Sequence, residues 1–479
     1  MGLPIESSPV MIENVLRNRF TLTFYVFEAE FCRNSGKEKL ELFGRRNRMM
    51  RRGVRWTIAL VLFFGVLINY FDRTNMSVAT KPMMAEFHLT TGQMGILMSA
   101  FAWSYAALQI PIGALLDKVG VKWLMRIGTL IWSLATLMTA VVSGMGLIIL
   151  SRLILGAAEA PAFPSASKAT GYWFPISERG IATSTFDAAA KFSNVIGAPL
   201  VAWAVTEWGW RGGFFLTAIL SFVYFVVYWI WYRDPKEHRY LSDEERRYIE
   251  EGGAQDEGSA PGGTLRNLGF LLRQRKVWGL TIGFAAYGYS FYLFLTWLPG
   301  YLEKQMGMTV LKSSFYTAIP WLIATLADFF IGGLLVDVLI RRGHNPTRVR
   351  KTLLVIGMIL GLAVGGAAFT HSANVAIIFI SIALGGLAFA APIGWSIPSL
   401  IAPKGTVGMV GSIMNFVNNL MGIAAPIVTG FIAGGSGSFA NGFLVAAAVL
   451  MIGILSFLFL LGSIEPIPSP YEAETENGR

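Results

Sequence analysis

The chain has 479 residues, of which 54% are hydrophobic and only 14% are charged. About a quarter of the residues in a soluble domain are charged, so this composition excludes an ordinary soluble protein and indicates a membrane protein. The formal net charge of +10 does not indicate a nucleic-acid partner, because the Lys and Arg residues lie in the loops between apolar runs. The single cysteine, Cys32, excludes an intramolecular disulfide and a cysteine metal cluster, and we expect neither a metal nor a cofactor.

Apolar runs of about 20 residues recur along the chain, and a helix of about 20 residues crosses a bilayer core of ~30 Å. We therefore predict an all-α membrane protein with twelve transmembrane helices. The predicted spans are about 56–79, 92–116, 123–142, 146–170, 181–205, 213–232, 277–301, 314–340, 352–370, 374–401, 408–433 and 439–462.

The longest internal connection, 233–276, divides the predicted spans into two sets of six. Residues 49–232 would form one six-helix bundle and residues 277–462 the other, followed by a cytoplasmic tail at 463–479. Within the connection, Ser-Asp-Glu-Glu at 242–245 predicts the capped start of a short surface helix. Residues 1–48 contain no apolar run long enough to span a membrane and lack a signal-peptide pattern. We expect them to be a disordered extension or the product of a misassigned start codon.

Basic residues are distributed asymmetrically among the predicted loops. They are concentrated at 45–55, 118–126, 233–276 and 341–351, whereas the opposite loops hold only four Lys or Arg residues, namely Lys81, Arg211, Lys304 and Lys312. Loops rich in Lys and Arg stay in the cytoplasm. This pattern predicts that both termini are cytoplasmic and that the protein lies in the inner (plasma) membrane.

Four charged residues, Asp72, Arg73, Arg152 and Glu159, fall inside two of the predicted spans. A charge at the bilayer centre costs roughly 2.5–3.5 kcal/mol on insertion scales, so such residues usually face one another or a watery cavity. Arg152 and Glu159 are seven residues apart and therefore share one helix face, about 10 Å apart along the axis. The pattern predicts a polar path through a helical bundle, which is typical of transport.

A weak internal repeat and several motifs carry a family resemblance. Residues 113–118 resemble 333–337, and residues 184–191 resemble 412–419, each at corresponding places in the two predicted halves. Gly-Ala-Leu-Leu-Asp-Lys-Val-Gly-Val-Lys at 113–122 resembles the loop motif of the major facilitator superfamily. Within it, the chain resembles the anion:cation symporter family, which includes bacterial galactonate, glucarate and hexuronate carriers and animal sialin. The motifs that carry this resemblance lie at 70–75, 99–105, 159–164, 173–179 and 295–302.

The resemblance implies roles for the charged residues. Asp72 and Glu159 would be proton sites, Arg73 the clamp for a substrate carboxylate, and Arg152 the partner of Asp72. A static ion-pair lock between the helices is the alternative. Four further residues match substrate-contact positions of the family, although each fits simple packing as well: Tyr70, Tyr105, Trp395 and Asn415.

The chain departs from the galactonate carriers at four positions where they carry polar side chains, here Ala190, Phe284, Pro392 and Gly394. The fifth span instead carries Asp187 and Lys191 at a spacing that favours a salt bridge. Lys191 would either add a second cation beside Arg73, which suits a dicarboxylate, or be neutralised by Asp187. Asp328 on the eighth span fits a titrating or a structural role equally.

Two acidic residues lie at the cytoplasmic ends of predicted spans, beside basic residues. Asp117 with Lys118, and Asp337 in the corresponding place of the second half, are predicted to form a conformational latch and not to bind substrate.

Together these features predict a proton symporter that imports an organic anion, most simply a sugar acid, by alternating access, and that is not an enzyme. We expect a monomer in the lipid bilayer, with the organic anion and protons as its partners. An anion exchanger on the same fold and a transporter-like receptor are the alternatives. The sequence leaves open the substrate and the proton number.

Overall fold

The structure is a computed structural model that describes residues 53–175, 178–253, 264–403 and 406–468, and every regular element within these ranges is helical. The predictions for residues 1–48 and for most of the tail lie outside the described residues. The helices are α1 Val54–Val78, α2 Thr80–Glu86, α3 Thr91–Val141, α4 Met145–Glu159, α5 Ala162–Trp173, α6 Arg179–Trp231, α7 Asp243–Glu251, α8 Thr264–Leu271, α9 Arg275–Lys304, α10 Val310–Ala327, α11 Val336–Arg341, α12 Pro346–Gly361, α13 Val364–Ala367, α14 Ala373–Ser396, α15 Pro398–Ile401, α16 Val407–Ser436 and α17 Ala440–Leu455. A 3₁₀ turn at Pro235–Glu237 and π-helical segments at Asp328–Leu335 and Ser456–Leu460 complete the elements.

Within the described residues, nine helical stretches are long and apolar enough to cross a membrane. One of them, Ile181–Trp231, has 51 residues and contains the fifth and sixth predicted spans. The second and seventh predicted spans lie in helices α3 and α9 but are not among the nine. The all-helical membrane architecture is therefore confirmed, while the count of twelve spans stays a prediction.

Helices α3 and α6 each contain a sharp break at a glycine. Gly120 has φ 79° and ψ 163°, and Gly209 has φ 72° and ψ 174°. Both φ values lie in the region that side chains with a Cβ rarely adopt. Each glycine therefore separates two predicted spans, so that α3 and α6 each consist of two spans joined by a sharp turn.

The second span of each predicted half begins in the same way. The side chain of Thr90 accepts a hydrogen bond from the main-chain N–H of Gln93, and the side chain of Thr309 accepts one from that of Lys312. Such caps satisfy main-chain donors that the first helical turn leaves free. The connection between the halves also follows its prediction, because Ser242 caps α7 by accepting from the N–H of Glu245 at 3.2 Å.

The two predicted halves meet closely at one end of the bundle, which we call the closed end. The hydroxyl of Ser77 donates to the carbonyl of Thr296 at 2.6 Å, and the ammonium of Lys304 donates to the hydroxyl of Thr91 at 2.8 Å. Gly95 on α3 lies so near Pro426 on α16 that a Cβ there would come within 3.0 Å of the Pro426 carbonyl oxygen. Helices from both halves thus pack backbone to backbone at this end.

Within the first half, helices α3 and α4 approach at Gly156, where a Cβ would come closer than 3.0 Å to the carbonyl oxygen of Phe101. We predict that Gly156→Ala destabilises the protein by about 1–3 kcal/mol, the usual range for overpacking. The matched control is Gly146→Ala on the same helix, where a Cβ meets nothing within 4 Å. Replacing a helical glycine with alanine there should be neutral or stabilising by up to about 1 kcal/mol. Thermal unfolding of the purified protein in detergent measures both, and equal midpoints for the two variants would contradict this packing.

Candidate functional site

The position of Glu159 follows from a break in the fourth predicted span. Glu159 is the last residue of α4, and Pro161 stands immediately before α5. Proline lacks the N–H that a continuous helix requires and ends the hydrogen-bonded ladder before it. The carboxylate therefore sits at a local helix end inside the bundle, where its side chain is fully buried.

Arg73 on α1 is the centre of the buried charges. Its Nη2 atom lies 3.4 Å from Oε2 of Glu159 and donates to Oδ1 of Asn69 at 2.9 Å. The guanidinium also lies over the rings of Tyr70, Phe101 and Tyr105, with 4.4, 4.6 and 5.1 Å to their centroids. Aromatic faces attract a cation, and more strongly where water is excluded. Glu159 and the rings together hold this buried charge in place.

The predicted pairing of Asp72 with Arg152 takes a different form. Nη1 of Arg152 donates to the main-chain carbonyl oxygen of Asp72 at 3.4 Å, and no ion pair joins the two side chains among the described residues. The Asp72 carboxylate instead accepts from the hydroxyl of Ser221 on α6 at 3.3 Å. Adjacent residues on a helix point about 100° apart, so Asp72 faces α6 while Arg73 faces α4.

Both carboxylates keep one oxygen without a hydrogen-bond donor. Within the described part of the chain, Oδ1 of Asp72 and Oε1 of Glu159 are buried and accept no hydrogen bond. Buried polar atoms are normally satisfied, so each exception asks for a functional or structural reason. An oxygen in this state is ready to bind a proton or a water molecule.

Arg73 and Arg152 line a cavity that lies between the two predicted halves. Helices α1, α3 and α4 supply one wall, which includes Phe101, while Tyr292 and Thr296 on α9 and Gly422 on α16 supply the other. The hydroxyl of Tyr292 donates to Oδ1 of Asn419 at 2.9 Å. A small anion in this cavity would meet two guanidinium groups from one half and polar groups from the other.

Lys191 forms a second buried charge cluster. Its Nζ atom lies 2.6 Å from Oδ2 of Asp187 and 2.5 Å from Oδ2 of Asp328. The predicted pair with Asp187 is thus present, and a carboxylate from the other half has joined it. Asp328 begins the π-helical segment after α10, and such segments frequently occur at functional sites.

The other predicted contact residues are distributed around these two clusters. Tyr70 and Tyr105 are buried beside Arg73. Trp395 is 41% exposed and packs edge to face on Phe284, with ring centroids 5.2 Å apart. Asn415 is half-buried on α16. The proposed contacts of these residues with substrate stay predictions.

The latch residues lie outside the described side chains. The backbones of Asp117, Lys118 and Asp337 are helical, but the structure does not describe where their side chains lie. The latch therefore stays a prediction.

Two residues of the site are missing from the sequence-based prediction. Phe101 contacts both buried arginines, with 5.5 Å between its centroid and the Arg152 guanidinium carbon, but an aromatic residue in an apolar span gives no signal of such a role. Asn69 stands four residues before Arg73, and this helical spacing is a signal from which the contact could be predicted. Away from the site, Glu303 near the end of α9 is also buried and accepts from the hydroxyl of Ser313 at 2.9 Å.

Comparisons with known proteins give a consistent result. The family model described as Major Facilitator Superfamily matches residues 62–426. An uncharacterized transporter, YybO, of Bacillus subtilis is 44% identical over 88% of this chain and 98% of its own length. The probable galactarate/D-glucarate transporter GudP of Escherichia coli is 35% identical over 87% of this chain and 95% of its own.

A solved structure shares the fold. The crystal structure of a bacterial homologue of the human lysosomal transporter Spinster, in an inward-facing and occupied conformation, superposes with a TM-score of 0.67. It covers 85% of this chain and 96% of its own at 18% identity. At this level of identity, the similarity concerns the fold alone.

The buried pair of Arg73 and Glu159 makes an energetic prediction. Arg73→Gln should destabilise the protein by about 3–5 kcal/mol because it leaves a buried carboxylate unpaired. Glu159→Gln in the same background should recover part of that loss, which gives a coupling energy on the order of 1–3 kcal/mol in a double-mutant cycle. Denaturant unfolding in detergent gives the free energy of unfolding of the wild type, the two single variants and the double variant.

The control cycle uses Arg211 and Glu86, an exposed pair 2.6 Å apart. Trp210 and Arg211 donate to this carboxyl and hold the pKa of Glu86 below its usual range. Exposed pairs are nevertheless coupled by less than about 1 kcal/mol. A coupling for Arg73 and Glu159 no larger than that of the control would contradict the buried pair.

Proposed function

The chain belongs to the major facilitator superfamily and is a membrane transporter, and we propose that it imports an organic anion by proton symport. The observation that carries the proposal is the contact between Arg73 and Glu159 at 3.4 Å beside the cavity between the halves. Arg73 has a buried carboxylate as its partner, and a substrate carboxylate would compete for the same guanidinium.

Competition for Arg73 would couple the anion to the proton. When Glu159 takes up a proton, its carboxyl no longer neutralises Arg73, and the guanidinium is free to bind the substrate carboxylate. The unsatisfied oxygen of Glu159 provides a place for that proton. The site then carries the same net charge with proton and anion as without either, so loading it avoids the high cost of an uncompensated buried charge.

Asp72 would be the second proton site. It lies next to Arg73 in the chain, faces Ser221 on α6, and also keeps one oxygen free of hydrogen bonds within the described residues. Arg152 contacts the main chain at this point, so its position follows that of α1. Protonation of Asp72 would change the charge balance around both arginines.

The closed end supports alternating access. With the predicted topology, the contacts of Ser77 with Thr296 and of Thr91 with Lys304 lie on the outer side of the membrane. The substrate site would then be sealed from outside in this conformation, and separation of the halves at this end would admit the anion. The predicted topology on which this orientation rests has both termini in the cytoplasm, in line with an inner-membrane location.

A sugar acid is the substrate class that the site and the relatives support. The printed name of the relative GudP includes galactarate and D-glucarate. Tyr70 and Tyr105 beside Arg73 offer hydroxyl groups and aromatic faces to a polyhydroxy acid. The protein would work as a monomer in the bilayer.

We predict that adding a transported sugar acid to lightly buffered cells that express the protein makes the medium more alkaline. A protonophore and the substitution Asp72→Asn should each abolish the signal, because the amide cannot bind and release a proton. The same variant should still exchange labelled for unlabelled substrate, since exchange needs no net proton release. Labelled anion that enters only against an internal anion, without any pH change, would replace symport with exchange.

We also predict that Arg73→Lys raises the KM for transport at least about tenfold, because lysine keeps the charge but lacks the planar fork that binds a carboxylate through two donors. The control is Arg211→Lys at the exposed pair with Glu86, which should leave KM unchanged. Uptake of labelled substrate into proteoliposomes measures both, and equal KM values for the two variants would remove Arg73 from the substrate site.

A further inference from the structure

The cluster around Lys191 holds more negative than positive charge. One ammonium contacts two carboxylates, Asp187 at 2.6 Å and Asp328 at 2.5 Å. The side chains of Lys191 and Asp328 are only 5% and 9% exposed, whereas that of Asp187 is 24% exposed. With both carboxylates ionised, the cluster has a net charge of −1, which is expensive where water is scarce.

The two carboxylates belong to different halves of the transporter. Asp187 and Lys191 lie one turn apart on α6, so their contact persists however the halves move. Asp328 lies on the π-helical segment after α10 in the other half, so its contact with Lys191 joins the halves. Asp328 is therefore the partner that Lys191 can lose when the site changes.

The surroundings of Asp328 contain few other ionisable groups. Lys191 and Asp187 face it from α6, and Tyr287 on α9 lies within electrostatic range of all three. Helix α14 packs against the π-helical segment, where Gly332 is close to Phe389 and Pro392, and α14 has no titratable residue in its sequence. Among the described residues, Lys191 is thus the basic side chain in direct contact with the Asp328 carboxylate.

The cluster lies near the Arg73 site. The hydroxyl of Thr74, the residue after Arg73, donates to Oδ1 of Asn194, one turn after Lys191 on α6, at 2.8 Å. The helix turns that carry the two basic side chains are therefore in direct contact, and a ligand with two acid groups could place one on Arg73 and the other on Lys191.

We propose that Lys191 is a second carboxylate-binding group of the substrate site and that Asp328 blocks it until Asp328 is protonated. A proton adds to the Asp328 carboxylate, the ammonium of Lys191 leaves it, and the distal carboxylate of a dicarboxylic sugar acid takes its place. The proton balances the incoming negative charge, so the cluster keeps its net charge of −1. The inference rests on the proposed function, because it assigns the second end of the same substrate.

Two consequences follow for transport. A dicarboxylate would bind together with one more proton than a monocarboxylate of the same carbon skeleton. Binding would also break the contact between Lys191 and Asp328, and so release one link between the halves only when the second acid group has arrived.

The test compares galactarate with galactonate, which share a carbon chain and differ at one end in a carboxylate or a hydroxymethyl group. Binding of each to the full-length protein in detergent is measured by calorimetry between pH 5.5 and 8. Galactarate should bind more tightly as pH falls, with a slope of log Kd against pH steeper than that of galactonate by about one proton. Asp328→Asn should remove that extra slope and leave the binding of galactonate unchanged.

Lys191→Gln should raise the Kd of galactarate about 10- to 100-fold, the range for losing a charge-assisted contact. The Kd of galactonate should change by no more than about twofold. The double variant Lys191→Gln with Asp328→Asn should lose the preference for galactarate over galactonate to the same extent. Because this variant has no Asp328 carboxylate without a partner, its result shows that the loss does not come from destabilisation of the protein. Lys276→Gln is the matched control, since this half-buried lysine contacts Ser463 and the carbonyl of Glu465 and its replacement should alter the binding of neither ligand.

Three outcomes would overturn the inference. In the first, Lys191→Gln weakens both acids equally, which is the result of a purely structural role. In the second, Asp328→Asn keeps the extra proton dependence of galactarate. In the third, an amino sugar acid such as glucosaminate binds more tightly than galactonate and loses that advantage in Asp328→Asn. Asp328 would then bind an ammonium group of the substrate instead of blocking Lys191.

Failure of the proposed function gives a different result. If the wild-type protein binds neither galactarate nor galactonate, the sugar-acid site itself is wrong, and this inference falls with it. If both acids bind but Lys191 and Asp328 have no influence on the choice between them, only this inference is wrong.

Discussion

The buried guanidinium of Arg73 sets the conditions for the rest of the site. A cation inside a membrane protein needs compensation, and here it comes from Glu159 at 3.4 Å and from the faces of three aromatic rings. The carboxylate belongs to the last residue of α4, two residues before Pro161. Asn69, one turn before Arg73, accepts a hydrogen bond from the guanidinium at 2.9 Å. The carboxylate, the aromatic rings and the polar turn of α1 together stabilise this one charge.

The two charge clusters follow the same principle with different partners. At each, a buried basic side chain is paired with a carboxylate, and in the proposed mechanism a proton neutralises that carboxylate so that an incoming anion can replace it. At Arg73, the carboxylate comes from the same half of the protein, whereas at Lys191 one carboxylate comes from each half. In the proposed mechanism, the first arrangement would tie proton binding to anion binding, and the second would also tie it to the contact between the halves. A proton symporter needs both kinds of link, because an uncoupled site would leak protons or anions.

The helices that carry these groups are held together by close backbone contacts. Gly156 lets α4 approach α3 within the first half, and Gly95 lets α3 approach α16 across the halves. Small residues at such points are common in membrane proteins, where packing and not the hydrophobic effect drives helix association. The contact at Gly156 lies within the first predicted half, while that at Gly95 joins the two predicted halves at the closed end and would have to separate in the proposed alternating access.

The sequence by itself determined the membrane class, the all-helical fold and the family, because apolar runs, loop charges and short motifs are local properties of the chain. It also identified Asp72, Arg73, Arg152 and Glu159, since a charge inside an apolar span is conspicuous wherever its side chain points. Only the tertiary structure decided the partners. Within the part of the chain that the structure describes, Arg73 contacts a carboxylate and Arg152 does not, and Lys191 contacts Asp328, which is far away in the chain. Partners across helices depend on how each helix is rotated and where it breaks, as at Gly120, Gly209 and Pro161, and those angles are set by packing between spans that no local pattern records.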